Sequence, residues 1–212
     1  MSRALLLFFA SVCVLLARAD ASAQRRVPNA VAEARVVRGQ VLTSSKLPRI
    51  RVRFDKRFKY VGSQTFVLYE RARAEQRFFV DADAVRRVRA MYMSQFEGYL
   101  PGVDASYSYD VKETVKLGGV DYIVNVENVP DVKAALAQQP ESDSARAVAF
   151  LEGKGYHVPE SVRFQRFVRL VDESKRSEFI MLYVEDAGAS QPDEKAMREF
   201  RARATKGFAI LK

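Results

Sequence analysis

The clearest alternation of polar and apolar positions follows Pro48, where the chain reads R-I-R-V-R-F over residues 49–54. Side chains along a β-strand point alternately to its two faces. Strict period-two alternation therefore predicts a strand with one apolar face and one arginine face.

Further strands are predicted wherever β-branched and aromatic residues cluster between short polar links. The links are too short for parallel crossovers, so most pairing is expected to be antiparallel. Gly118-Gly119 is a hairpin signal, because both central residues of such a turn require positive φ. The predicted strands cover residues 63–70, 75–81, 88–97, 107–111, 113–117, 120–127, 162–171 and 178–185.

Two helices are predicted in the second half of the chain. Ser142 or Asp143 can cap the first, which runs through Leu151 and ends at the following glycines. The second begins near Asp193, and its apolar stripe comprises Met197, Phe200, Ala204, Phe208 and Leu211. The sum is a single α+β domain with a large curved, mostly antiparallel sheet of about eight strands and two helices.

The first residues are typical of a secretory signal peptide. Arg3 precedes an apolar run over residues 4–17, and Ala21-Ser22-Ala23 has the A-x-A form of a cleavage site. The expected organisation is a signal peptide at 1–23, a basic and partly flexible segment at 24–47, and a globular domain at 48–212. The protein is therefore expected to be exported, to the periplasm or beyond, with no transmembrane segment in the mature chain.

Residue usage excludes several kinds of chemistry from the mature chain. The single cysteine, Cys13, lies in the signal peptide, which removes thiol catalysis and iron–sulfur clusters. His157 is the only histidine, so a two-histidine metal site is impossible. Asp81 and Asp83 fit a turn better than a cation site, and no nucleotide-binding motif occurs. Neither a metal nor a cofactor is predicted.

Charge is concentrated near the N-terminus. Residues 25–59 contain eleven basic and two acidic side chains, whereas residues 60–212 contain 22 basic and 23 acidic ones. Such asymmetry favours an anionic neighbour, either lipid or an envelope polymer, and the exported compartment disfavours nucleic acid. A solvated basic arm is the alternative. The candidate anionic-surface residues are Arg49, Arg51, Arg53, Lys56, Arg57 and Lys59.

The central strands carry large apolar side chains on both faces, so either both faces are covered or one lines a cavity. The hypothesis placed first is a non-enzymatic protein that binds a small amphipathic or apolar ligand against this sheet. Core packing is the alternative. Candidate ligand-binding residues are the polar Arg77, Tyr92 and Glu97 and the apolar Met91, Met93 and Phe96.

A third hypothesis is a carboxylate-dependent hydrolase. Glycoside chemistry needs two carboxyl groups about 5–10 Å apart. Glu70, Glu75 and Glu97 are the candidates, but their spacing selects no pair.

Under the ligand hypothesis, a buried Arg77 would need an anionic ligand or a nearby carboxylate such as Glu97.

Overall fold

The structure is a computed structural model that describes residues 34–188 and 192–211. The predicted signal peptide and the first part of the basic segment lie outside the described residues. No helix in the described ranges is long and apolar enough to cross a membrane.

The described residues form eleven strands and three helices, joined mostly by short turns. The strands are β1 Arg35–Arg38, β2 Val41–Ser44, β3 Ile50–Phe54, β4 Lys59–Leu68, β5 Ala72–Ala82, β6 Val88–Tyr99, β7 Thr114–Leu117, β8 Val120–Val129, β9 Val162–Leu170, β10 Ser177–Asp186 and β11 Phe208–Leu211. The helices are α1 Val132–Gln138, α2 Asp143–Gly153 and α3 Glu194–Lys206.

The strands form two antiparallel sheets instead of the single sheet predicted. The small sheet has the order β1-β2-β3-β11, and the large sheet has the order β4-β5-β6-β10-β9-β8-β7. The α+β class and the antiparallel pairing are confirmed. The hairpin at Gly118-Gly119 is also confirmed, since both glycines have positive φ and join β7 to β8.

The small sheet contains the strands that the sequence analysis missed. β1 and β2 lie within the segment at 24–47; β1 pairs with β2, and β2 pairs with β3, so the compact unit begins at Ala34. β11 pairs with the other edge of β3. Its Phe208 and Leu211 continue the helical spacing in sequence, but α3 ends at Lys206.

Gly207, the C-cap of α3, lies close against a neighbour across the core. A Cβ at this position would collide with the ring and hydroxyl of Tyr92. The Tyr92 hydroxyl donates to the carbonyl oxygen of Ala204 at 2.8 Å, which satisfies one of the free carbonyl groups at the helix end. The chain then leaves the helical path at Phe208.

Side-chain caps fix the starts of all three helices. Ser142 caps α2 by accepting from the Ala145 amide at 3.2 Å, and Asp193 caps α3 in the same way. α1 is a third helix that the sequence analysis did not predict. It has only seven residues, and Asp131 caps it.

The elements stack in three layers. One face of the large sheet packs against the small sheet and α3 around a core that includes Phe54, Phe79, Tyr92, Phe179 and Phe200. The other face packs under α1 and α2. Both faces are therefore covered, which is one of the two alternatives that the sequence left open.

Residues 100–113 connect β6 to β7 and are named the strap here. A strand was predicted at 107–111, but these residues do not form one. Alternate side chains from Val103 to Tyr109 are nevertheless half-buried, so the strap lies extended against the domain. Arg176 anchors it by donating to three carbonyl oxygens, at Leu100, Val103 and Ala105.

Candidate functional site

The residues predicted to bind a ligand divide between the two faces of the large sheet. Arg77, Tyr92 and Phe96 point toward the small sheet, whereas Met91, Met93 and Glu97 point toward α1 and α2. They therefore cannot form one site. The pairing of Arg77 with Glu97 that the sequence left open does not occur, because Arg77 lies 3.5 Å from Glu75.

The three residues facing the small sheet belong to the core. Tyr92 is fully buried and packs edge-on against Phe58. Phe96 packs against Phe179 and lies 4.1 Å below the guanidinium of Arg35. Arg77 donates to the carbonyl oxygen of Arg35 at 3.1 Å and so links the large sheet to β1.

A cavity of about 390 Å³ lies on the opposite face, between the large sheet and the first two helices. Its volume is in the range of small-molecule sites, which are typically apolar with a few polar groups. Met91 and Met93 both line it, as the ligand hypothesis required. The other apolar lining comes from neighbouring strands and from the helices, and includes Val129, Val132, Leu136, Phe164, Leu182 and Val184.

Helix α1 covers part of this cavity, although its own residues stay partly or fully exposed to solvent. None of its residues is buried, although Val132 and Leu136 line the cavity. A seven-residue helix is too short to be stable alone. Its position is fixed by the Asp131 cap and by a backbone hydrogen bond from Val132 to Glu160 at 2.8 Å.

Arg166 supplies the cationic group of the cavity. It lies on β9, with Phe164 two residues before it on the same face. Among the described residues no carboxylate oxygen lies within 4 Å of its guanidinium, and its Nε is buried without a hydrogen-bond partner. Arg166 also lines a second cavity of about 270 Å³ beside Tyr109. A buried nitrogen without a partner costs free energy unless a ligand or water satisfies it.

Polar side chains cross the sheet beside the cavity in a directed row. Gln64 donates to Gln76 at 2.7 Å, Gln76 to Gln95 at 2.7 Å, and Gln95 to Glu97 at 2.6 Å. Gln64, Gln76 and Gln95 are register partners on β4, β5 and β6. Asp143 joins the row, because Gln95 also donates to its carboxylate at 3.2 Å.

The row ends at a pair of buried carboxyl groups. Glu97 on β6 and Glu178 on β10 are register partners, and both are buried. Burial raises the pKa of Glu97, and the charge of Asp143 adds to this, while the hydrogen bond from Tyr107 opposes it. Burial also raises the pKa of Glu178 to about 7, with Tyr109 opposing and Glu97 adding.

The strap closes over both carboxyl groups with two tyrosines. The Tyr107 hydroxyl donates to Glu97 at 2.8 Å, and the Tyr109 hydroxyl donates to Glu178. Burial and the adjacent carboxylates raise the pKa of both phenols. Glycoside chemistry needs two neighbouring carboxyl groups, but each of these already accepts a hydrogen bond from a tyrosine hydroxyl.

The other candidates from the sequence lie apart from this site. Glu70 is exposed in the β4–β5 turn, and Glu75 binds Arg35 at 2.8 Å on the opposite face of the sheet. Asp83 accepts from two backbone amides in a turn. His157 is exposed beside Arg87, and no group of three potential metal ligands occurs in the part of the chain described.

The predicted anionic-surface residues are all exposed, in and directly beside β3. Arg57 lies 3.8 Å from Asp81, and Lys59 donates to a backbone carbonyl oxygen. The arginines of the strand itself have no such partner within the described residues. The exposed set is Arg49, Arg51, Arg53, Lys56, Arg57 and Lys59.

Arg166 and Glu178 are the functional candidates that sequence reasoning missed. In V-R-F-Q-R-F-V-R-L, residues 162–170, three arginines are equally plausible, and only register separates them. Arg166 shares a face with Phe164 and Val168, whereas Arg163 and Arg169 share the other. A charge on the apolar face of a strand is the signal that could have found it.

Comparison with protein-family models, with curated proteins and with solved structures gives no match.

Proposed function

We propose that the mature, exported chain binds a small amphipathic anion in the helix-covered cavity. The ligand's anionic group binds Arg166, and its apolar part lies along Met91, Met93 and the aliphatic lining. The protein acts as a binding protein and not as an enzyme.

The observation that carries this proposal is the state of Arg166. Arg166 is half-buried and its Nε is shielded from water; such a nitrogen normally has an acceptor, commonly a carboxylate, because a buried donor without a partner is costly. Arg166 has no such partner within 4 Å among the described residues, yet it lies beside an apolar cavity. A carboxylate, sulfate or phosphate group offers the fork of oxygens that arginine binds best.

The cavity also fits the apolar part of such a ligand. Its lining is mainly aliphatic and thioether, and methionine side chains adapt to ligands of different shape. Helix α1 has no fully buried residue, so displacing it to admit a ligand would break few contacts.

Calorimetric titration with decanoate and with uncharged decanol tests the proposal. Arg166→Gln should weaken decanoate binding about 10- to 100-fold, the usual value of a charge-assisted hydrogen bond, and leave decanol binding nearly unchanged. Arg169→Gln is the matched control, because Arg169 lies on the same strand and the opposite face. If decanoate binds wild type and Arg166→Gln equally, or binds neither, the proposal is wrong.

A further inference from the structure

The outward face of the small sheet is a second surface, and it carries arginines without acidic neighbours. Register places Arg38, Val41, Arg53 and Ala209 in one row across the four strands. The adjacent outward row is Val36, Thr43, Arg51 and Leu211. The arginine face is defined as Arg38, Arg49, Arg51 and Arg53, all of which are exposed.

Several arginines elsewhere in the domain form ion pairs. Arg35, Arg87, Arg201 and Arg203 each pair with a carboxylate at 2.8–2.9 Å. No residue of the arginine face has a carboxylate within 4 Å among the residues that the structure describes, and neither outward row contains an acidic residue. The charges of this face therefore form no ion pair among the described residues.

The spacing spreads this charge across the sheet. Neighbouring strands lie about 4.8 Å apart, and residues two apart along a strand are separated by about 7 Å. Arg38 is therefore roughly 10 Å from Arg53 across the sheet, and Arg51 is about 7 Å from Arg53 along β3. Half-buried aliphatic side chains fill the gaps, namely Val36, Val41 and Leu211.

We infer that this face docks on an anionic lipid surface. Each arginine near such a surface contributes attraction, and the aliphatic side chains between the arginines suit the headgroup region. In the adjacent β2–β3 turn Lys46 is exposed and Leu47 is 64% exposed, which adds a charge and an apolar contact. The outward rows contain no aromatic side chain on which a base could stack, which argues against single-stranded nucleic acid.

This inference is independent of the proposed ligand, because the cavity lies on the far face of the large sheet. Loss of decanoate binding would leave lipid docking unaffected, and the reverse also holds. The two proposals therefore fail separately.

Vesicle co-sedimentation tests the inference on the protein recovered from its own cells, with its N-terminus assigned by intact mass. The vesicles are phosphatidylcholine with or without about one third phosphatidylglycerol. Replacing Arg38, Arg51 and Arg53 together with Gln should weaken binding to the anionic vesicles about 100-fold. The control replaces Arg71, Arg89 and Lys195 with Gln; these residues are also exposed, carry the same total charge and lie in other elements.

The inference requires the control to bind like wild type, and raising the salt from about 0.05 to about 0.5 M to weaken wild-type binding strongly. Equal loss in both triple variants, or no binding of wild type to anionic vesicles, overturns it. Stronger binding to oligothymidylate than to vesicles at equal phosphate concentration overturns the lipid assignment.

Discussion

Glu97 and Glu178 are register partners on β6 and β10, and a tyrosine hydroxyl covers each of these buried carboxyl groups. Two like charges held this close in an apolar environment oppose each other's ionisation. Because their protonation changes with pH, both the stability of the domain and the electrostatic field around Arg166 should depend on pH.

The first prediction concerns Glu178 and the dependence of the domain's stability on pH. Its folded-state pKa of about 7 exceeds its usual value of 4.5, so between these values the folded chain keeps a proton that the unfolded chain has lost. The wild type should lose on the order of 2–3 kcal/mol as pH rises through this window. Glu178→Gln should thus be more stable than wild type at pH 8 and equal to it near pH 4.5.

Urea unfolding at several pH values measures this difference. Glu173→Gln, an exposed change near the same turn, is the control and should follow wild type throughout. A Glu178→Gln stability curve parallel to that of wild type between pH 5 and 8 would rule out the titration of this group.

The second prediction concerns ligand binding and the same carboxyl group. Decyl sulfate stays anionic at every working pH, so its own titration does not contribute. Its affinity should rise severalfold from pH 8 to pH 6, because Glu178 loses the negative charge that competes for the field of Arg166. In Glu178→Gln the affinity should be nearly independent of pH over this range, as measured by calorimetry.

The third prediction concerns the ion pairs that join β1 to the large sheet. Glu75 lies 2.8 Å from Arg35 and 3.5 Å from Arg77, and both guanidiniums are largely buried. Glu75→Gln leaves two buried cations with no carboxylate between them, which should cost about 3–5 kcal/mol of unfolding free energy. Denaturant unfolding measures it, with exposed Glu70→Gln as control; a loss below about 1 kcal/mol would contradict the pairing.

The fourth prediction concerns the end of α3. Gly207 has φ −75°, so alanine is conformationally allowed there, but its Cβ would lie against Tyr92. Gly207→Ala should therefore destabilise the domain by about 1–3 kcal/mol through overpacking. Gly153→Ala, at a helical glycine with open space around it, should be neutral or stabilising by up to about 1 kcal/mol. Thermal unfolding compares the two variants, and equal effects would contradict the steric explanation.

The fifth prediction concerns helix α1 as the cover of the cavity. Leu136→Gln should leave stability within about 1 kcal/mol of wild type, because α1 has no buried residue. Decanoate affinity should fall severalfold, because Leu136 lines the cavity. Ala137→Gln, on the same helix but outside the lining, should bind decanoate like wild type. If both variants lost the same affinity, the cause would be a change in the stability of the helix and not the loss of a contact with the ligand.

The sequence predicted the parts of the fold whose patterns are local. The alternation at 49–54 and the Gly118-Gly119 turn both gave the correct element, since a strand face or a tight turn is determined by a few adjacent residues. The start of α2 at Ser142 was also predictable from its cap. Phe208 was misassigned because its helical spacing is genuine, yet it lies in β11 and pairs with Phe54 on β3.

The candidate site was predictable only in part. Met91, Met93 and Glu97 were correctly placed on one face of one strand by alternation. Arg77 was assigned to the same site because the sequence does not show which face of β5 adjoins which face of β6. Only the register between the two strands decides this. Arg166 and Glu178 come from distant strands, so their approach to this face depends on sheet order.

The central claim is that an amphipathic anion occupies the cavity below α1. Methyl NMR of protein labelled at methionine tests it most directly, because Met91 and Met93 line the cavity while Met181 and Met197 lie on the other side of the large sheet. Titration with decanoate should shift the Met91 and Met93 signals and leave those of Met181 and Met197 in place. Shifts confined to Met181 or Met197, or no shift at saturating decanoate, would contradict the account.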